Sequence, residues 1–174
     1  MTYYGIALFP SKAIQDEANS YRKRYDPHYS LIPPHITVKE SFEVDDPSID
    51  GIVTTLKHIA NDTNPFTINI NKVSTFAPVT NTIYLKVEPI QELDDLHEKL
   101  HKGELLKSEK EYNFVPHITL AQDLVHDEYS DVFGSLQMKN NQYEDYIDRF
   151  QLLYQLDNGS WTVYETFVFG KEQV

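Results

Sequence analysis

The sequence contains no cysteine, which excludes disulfide bonds, thiolate metal sites and cysteine nucleophiles. That absence fits a reducing compartment, so a cytoplasmic location is expected. Basic residues are scarce: 15 Lys and Arg stand against 27 Asp and Glu, for a net charge of −12. A chain this acidic repels long nucleic acid, whose affinity comes mainly from Lys and Arg on phosphates. A long duplex partner is therefore not expected, while a local pocket for one or two phosphates stays open. No stretch approaches the roughly 18 consecutive apolar residues of a membrane span, so no membrane partner is expected. The opening Met1-Thr2-Tyr3-Tyr4-Gly5-Ile6 has neither the basic segment nor the apolar run of a secretory leader. No Pro/Gly/Ser linker or low-complexity run divides the chain, so residues 1–174 are expected to form one domain. The material for its core is present, with hydrophobic residues at 40%, including 12 Tyr and 9 Phe.

Periodicity gives an order of elements. Tyr3 to Phe9 is apolar and aromatic and ends at Pro10, which predicts a strand. Ser11 then caps a helix carrying Ile14, Ala18 and Tyr21, with the basic Arg22-Lys23-Arg24 in its last turn and Asp26-Pro27 as its breaker. Ile36 and Val38 alternate with polar neighbours as a strand. Asp46-Pro47-Ser48 opens a helix with Ile49, Ile52, Val53, Leu56, Ile59 and Ala60 inward. Phe66 to Phe76 and Asn81 to Val87 predict two strands. Pro89 starts a helix with Ile90, Leu93, Leu96 and Leu100, ended by Gly103. Ile118 and Leu120 mark a short strand, and Asp127 to Leu136 a helix. Tyr143 to Leu156 and Trp161 to Phe169 form a long hairpin around Asp157-Asn158-Gly159-Ser160. The order βαβαββαβαββ is that of an α+β protein, not of a doubly wound parallel sheet.

One repeat stands out. Tyr29-Ser30-Leu31-Ile32-Pro33-Pro34-His35-Ile36-Thr37-Val38 is echoed by Tyr112-Asn113-Phe114-Val115-Pro116-His117-Ile118-Thr119-Leu120. The shared Pro-His-Ile-Thr, its similar flanks and its place between two helices point to internal duplication. On a strand, residues two apart project from one face. His35 therefore points with Thr37, and His117 with Thr119, while Ile36, Val38, Ile118 and Leu120 turn into a core. If the halves pack about a pseudo-twofold, the two pairs face each other across a groove.

Two imidazoles and two hydroxyls suit phosphodiester cleavage without a metal. The reaction needs a base for the attacking oxygen and an acid for the leaving oxygen, and histidine can serve as either. The hydroxyls can donate to phosphoryl oxygens as charge builds at phosphorus. Lys39 follows Thr37 by two and is a further candidate on that face; the matching residue of the second half is Ala121. Tyr29, Tyr112 and Arg22 or Arg24 could line the groove. His97 and His101 are four apart on a helix, a spacing that can bind metal, but they lack the His-Glu-x-x-His pattern and read as a solvated face. His28 and His126 read as exposed. No metal or cofactor is expected.

With both tetrads intact, His35-Ile36-Thr37-Val38 and His117-Ile118-Thr119-Leu120, the chain resembles the 2H phosphoesterase superfamily, and within it a small bacterial branch. The resemblance covers most of the chain. It implies a bilobal, pseudo-twofold fold with a central groove, and hydrolysis of a 2′,3′-cyclic phosphate or chemistry at a 2′–5′ linkage on a small nucleotide or RNA end. It further implies His35 as proton donor and His117 as proton acceptor. Residue spacing alone leaves the two histidines equivalent. A non-catalytic nucleotide- or RNA-end-binding module with the same groove, or 2′–5′ ligation in reverse, would carry the same residues.

Overall fold

The fold, a computed structural model, describes residues 1–107 and 113–170. The order is β1 (Thr2–Leu8), α1 (Lys12–Tyr25), β2 (Ile36–Val44), a 3-10 turn (Asp46–Ser48), α2 (Ile49–Asn61), β3 (Phe66–Thr75), β4 (Ile83–Val87) and α3 (Gln91–Lys99). It continues with β5 (His117–Ala121), α4 (His126–Gln137), β6 (Tyr143–Ile147), β7 (Arg149–Gln155) and β8 (Trp161–Val168). The class is α+β, as expected.

The strands form two four-stranded antiparallel sheets, ordered β2-β1-β7-β8 and β5-β4-β3-β6. The orders correspond. In each sheet the strand carrying a tetrad, β2 or β5, is an edge strand paired with the strand that precedes its helix, β1 or β4. The helices are exchanged: α1, which follows β1, packs on β5, and α3, which follows β4, packs on β2. Each tetrad strand is thus held by its own sheet and by a helix from the other half.

The residues explain the layers. β1 sits between two strands and is buried from Tyr4 to Leu8, so it reads as a continuous apolar run, not an alternation. In α1, Ile14, Ala18 and Arg22 recur every four residues and are all buried, so a guanidinium completes an apolar stripe. In α2 the buried face is Ile49, Ile52, Leu56 and Ala60; in α3 it is Leu93 and Leu96, with Leu100 just beyond. The cores merge, with Ile6, Leu8, Ile36 and Phe150 in one cluster with Ile68, Leu85, Ile118 and Leu120.

Three expectations are corrected. Tyr143 to Leu156 is not one strand. The chain leaves the second sheet after Ile147 and enters the first at Arg149, with only Asp148 between. Ile147 and Phe150 are both buried yet three apart, an odd spacing that one period-two strand cannot place on one face. Ser11 precedes α1 but makes no side-chain cap; its N–H donates to Asp145 Oδ2 at 2.8 Å. α3 begins at Gln91, not at Pro89, and ends at Lys99, before Gly103. The hairpin turn is as expected: Gly159 has φ +89° and Asn158 Oδ1 accepts from the Ser160 N–H at 3.0 Å.

Candidate active site

Each tetrad is anchored from behind. Ile36, Val38, Ile118 and Leu120 are at most 1% exposed, while His35, Thr37, His117 and Thr119 are half-buried on the other side. The register adds a detail that alternation alone does not give. Ala7 pairs with Thr37 and Ile6 with Lys39, which leaves Val38 as an extra residue. Tyr84 pairs with Thr119 and Ile83 with Ala121, which leaves Leu120 extra. The same bulge therefore follows the threonine in both halves, where it bends the strand and re-aims the side chains beside it.

His35, Thr37, His117 and Thr119 line one open cleft of about 310 Å³, between the edge strands of the two sheets. The imidazoles are oriented alike. His35 Nδ1 lies 2.8 Å from the Pro33 carbonyl and His117 Nδ1 2.6 Å from the Val115 carbonyl, each two residues back. A carbonyl only accepts, so each Nδ1 carries the proton and each Nε2 is left for other chemistry.

Their surroundings differ. Burial pushes His35 down to about 4, and nearby Arg22 and His117 push the same way, against the Pro33 carbonyl and Asp26. Burial also lowers His117, opposed by the Val115 carbonyl. His117 is wedged between aromatic rings, with Phe76 edge-on at 5.0 Å and Tyr84 at 5.1 Å.

Behind His35 lies a buried polar network. Arg22 Nε pairs with Asp26 Oδ2 at 3.0 Å, both side chains being 2% exposed. The same guanidinium donates to Asn19 Oδ1 at 2.8 Å and to the Ile32 carbonyl at 2.6 Å, fixing the loop that leads to His35. Asp26 Oδ1 accepts from the His28 N–H at 2.8 Å and from Gln122 Nε2 at 2.7 Å. Gln122 Nε2 also lies 3.2 Å from His28 Nδ1. Gln122 follows the second tetrad, so this network ties the two halves together at the cleft.

The other sequence candidates separate. Lys39 lines the cleft but is 4% exposed, with Nζ donating to the Leu106 carbonyl at 2.8 Å and lying 5.2 Å from the Phe42 ring centre. Burial lowers its pKa to about 8. Tyr29 is not among the residues lining the cleft; its ring lies 5.8 Å from the Arg22 guanidinium. Tyr112 falls outside the described residues. Arg22 borders the cleft, whereas the Arg24 guanidinium lies 5.8 Å from the Tyr25 ring. His28, expected to be simply exposed, lines the cleft. His97 and His101 are not a solvated face. Both are half-buried, and His97 stacks on Phe114 at 4.3 Å. Burial first, then His101, lowers the His97 pKa to about 4. Trp161 also lines the cleft, and its backbone N–H donates to the Leu31 carbonyl at 2.8 Å. Sequence reading passed over Trp161 and Gln122; the signal for Gln122 was its place three residues after Thr119, in the repeat.

Relatives carry the same architecture. The chain is 66% identical over 169 residues to a protein of Oceanobacillus iheyensis named "Putative phosphoesterase OB1230", covering 97% of this chain and 99% of that one. It is 61% identical over 171 residues to a Geobacillus protein, "Putative phosphoesterase GWCH70_0799", covering 98% of each. Among solved structures, TT0787 of Thermus thermophilus superposes with a TM-score of 0.72 at 18% identity, over 99% of this chain and 100% of that one. E. coli LigT complexed with 3′-AMP superposes with a TM-score of 0.69 at 14% identity, over 97% and 98%. At such identities these two likenesses concern the fold. The sequence pattern described as the 2′-5′ RNA ligase superfamily matches residues 10–159, a span that takes in both tetrads. The chain belongs to that superfamily, the 2H phosphoesterases, and is a phosphoesterase-type member of it.

Proposed function

We propose that this protein is a metal-independent phosphodiesterase that hydrolyses a 2′,3′-cyclic phosphate or a 2′–5′ linkage on a small nucleotide or RNA end. The observation that carries this reading is the convergence of His35, Thr37, His117 and Thr119 on one cleft. The substrate phosphate sits between the two Nε2 atoms, and water attacks phosphorus. His117 Nε2 takes the water proton, the P–O bond to one sugar oxygen breaks, and His35 Nε2–H protonates that oxygen as it leaves. The product is a nucleoside monophosphate. Thr37 and Thr119 donate to the phosphoryl oxygens.

The surroundings support this division of roles. Burial above all, with the nearby Arg22 cation adding to it, makes the His35 imidazolium a strong acid, which suits the donor role; His117, packed by Phe76 and Tyr84, suits the acceptor. A bound phosphate anion offsets the desolvation that lowers the pKa of both rings. Lys39 adds positive charge to the cleft wall. That E. coli LigT has been crystallised with 3′-AMP, ATP and NADP+ supports a small nucleotide as the ligand.

The test is incubation with 2′,3′-cyclic nucleotides and 2′–5′ dinucleotides, with products resolved by chromatography. Turnover in the presence of EDTA is expected. His35→Ala and His117→Ala should each lose about 10²–10⁴-fold in kcat, the usual worth of a positioned acid or base. Undiminished turnover in His35→Ala would refute the mechanism.

A further inference from the structure

A second chamber opens beside the cleft. It holds about 330 Å³ and shares Thr37, Glu40 and His117 with it. Phe76, His97, Asn113, Phe114 and Val115 complete its lining. Its described lining is richer in aromatic rings than that of the cleft. The cleft brings together the imidazoles, the threonine hydroxyls and the Lys39 ammonium. Among the described residues, the carboxylate of Glu40 is the only acidic side chain lining the chamber, and no Lys or Arg lines it. Its walls are largely aromatic. Phe114 stacks parallel on His97, at 10° and 4.3 Å, and Phe76 stands edge-on to His117 at 5.0 Å. Its volume lies at the lower end of the range for small-molecule sites. A flat heterocycle with hydrogen-bonding edges matches all of these features; an aliphatic group would match only the walls.

The repeat sharpens the point. The residue matching Glu40 in the second half, five after the tetrad histidine, is Gln122, whose amide is engaged by Asp26 and His28. In the first half the same position carries an exposed acid on the wall common to both cavities.

We propose that this chamber is a nucleobase subsite in which the Glu40 carboxylate selects guanine; the proposal rests on the phosphodiesterase reading above. A carboxylate only accepts hydrogen bonds. Guanine offers it two adjacent donors, N1–H and N2–H, in a bidentate pair. Adenine and cytosine offer one amino group beside a ring acceptor. Uracil offers one imino N–H flanked by two carbonyl oxygens that a carboxylate repels. The affinity order is guanine first, adenine and cytosine next, uracil last. With the base in the chamber, the nucleotide's phosphate reaches the cleft across the shared Thr37 and His117.

The test is calorimetric titration of the 2′- and 3′-monophosphates of the four nucleosides into the full chain, its E40Q variant and its F114A variant. Guanine nucleotides should bind about tenfold or more tighter than uracil nucleotides, the expected worth of a charge-assisted pair. E40Q should lose that preference and still bind, while F114A should weaken all four about tenfold or more. Equal affinities for the four bases, no binding of any, or an unchanged preference in E40Q would overturn the proposal. Turnover of the four cyclic nucleotides, measured in parallel, separates the two readings. Graded binding without hydrolysis sinks the phosphodiesterase reading alone, and hydrolysis blind to the base sinks the subsite alone.

Discussion

His35 and His117 each give the Nδ1 proton to the carbonyl two residues back, so titration of either ring acts at the Nε2 that serves the cleft. Burial lowers His35 to about 4 and lowers His117 from the ordinary imidazole value near 6.5. In the free protein one ring must be protonated and the other neutral for the proposed reaction. A bell-shaped kcat/KM profile follows, with its maximum between about pH 4 and 6.5. Binding an anion between the rings favours the imidazolium, so the kcat profile should lie to the alkaline side of it. A stopped assay in a constant-ionic-strength buffer series measures both; a kcat/KM optimum above pH 7 would contradict the assignment. At this scale the sequence was most legible. A duplicated His-x-Thr needs only period-two geometry to imply a shared face. Lys39 was read as part of that face, but the bulge at Val38 and the Leu106 carbonyl it reaches across the fold are long-range features with no local signature.

Within elements, α1 shows how far an ion pair's worth depends on its place. Lys12 and Asp16 form an i,i+4 pair at 2.7 Å with side chains 87% and 65% exposed. Arg22 and Asp26 form another at 3.0 Å with both side chains 2% exposed. Water and salt screen the first, so Lys12→Met should change stability by less than about 1 kcal/mol. Removing Arg22 strands a buried carboxylate, and Arg22→Met should cost about 3–5 kcal/mol in urea denaturation. It should also lower turnover, because the Ile32 carbonyl loses the donor that holds the loop ahead of His35. Equal urea midpoints for the two variants would show that the buried pair does not hold the helix end. The helices were read well because their apolar stripes are regular. The basic Arg22-Lys23-Arg24 misled, since a favourable helix terminus and a buried guanidinium look the same in sequence. The β6–β7 break was harder still. No Gly or Pro marks the crossing between sheets, and the odd spacing of Ile147 and Phe150 was the one local clue.

For the molecule as a whole, two correspondingly ordered sheets exchange helices, and Gln122, Asp26 and Arg22 bind the halves where the tetrads meet. The duplication allowed two facing halves and the family resemblance implied two lobes; the exchange of α1 and α3 could not be read, because it depends on packing between distant segments. Around that cleft the chain carries a net charge of −12. An anionic substrate must approach through a repulsive field, and salt shortens that field from about 30 Å at 0.01 M to about 8 Å at 0.15 M. The sign is opposite to that of basic phosphate-binding proteins, whose affinity falls as salt is added. Across this range kcat/KM for a cyclic mononucleotide should rise about twofold, with kcat nearly constant, because the effect lies in encounter and not in chemistry. An oligonucleotide bearing the same terminal phosphate carries more charge and should gain more. Initial rates at substrate concentrations far below KM, at constant pH, measure both slopes. A kcat/KM that falls steeply with salt would mean that a local basic path, and not the overall acidity, governs access to the histidines.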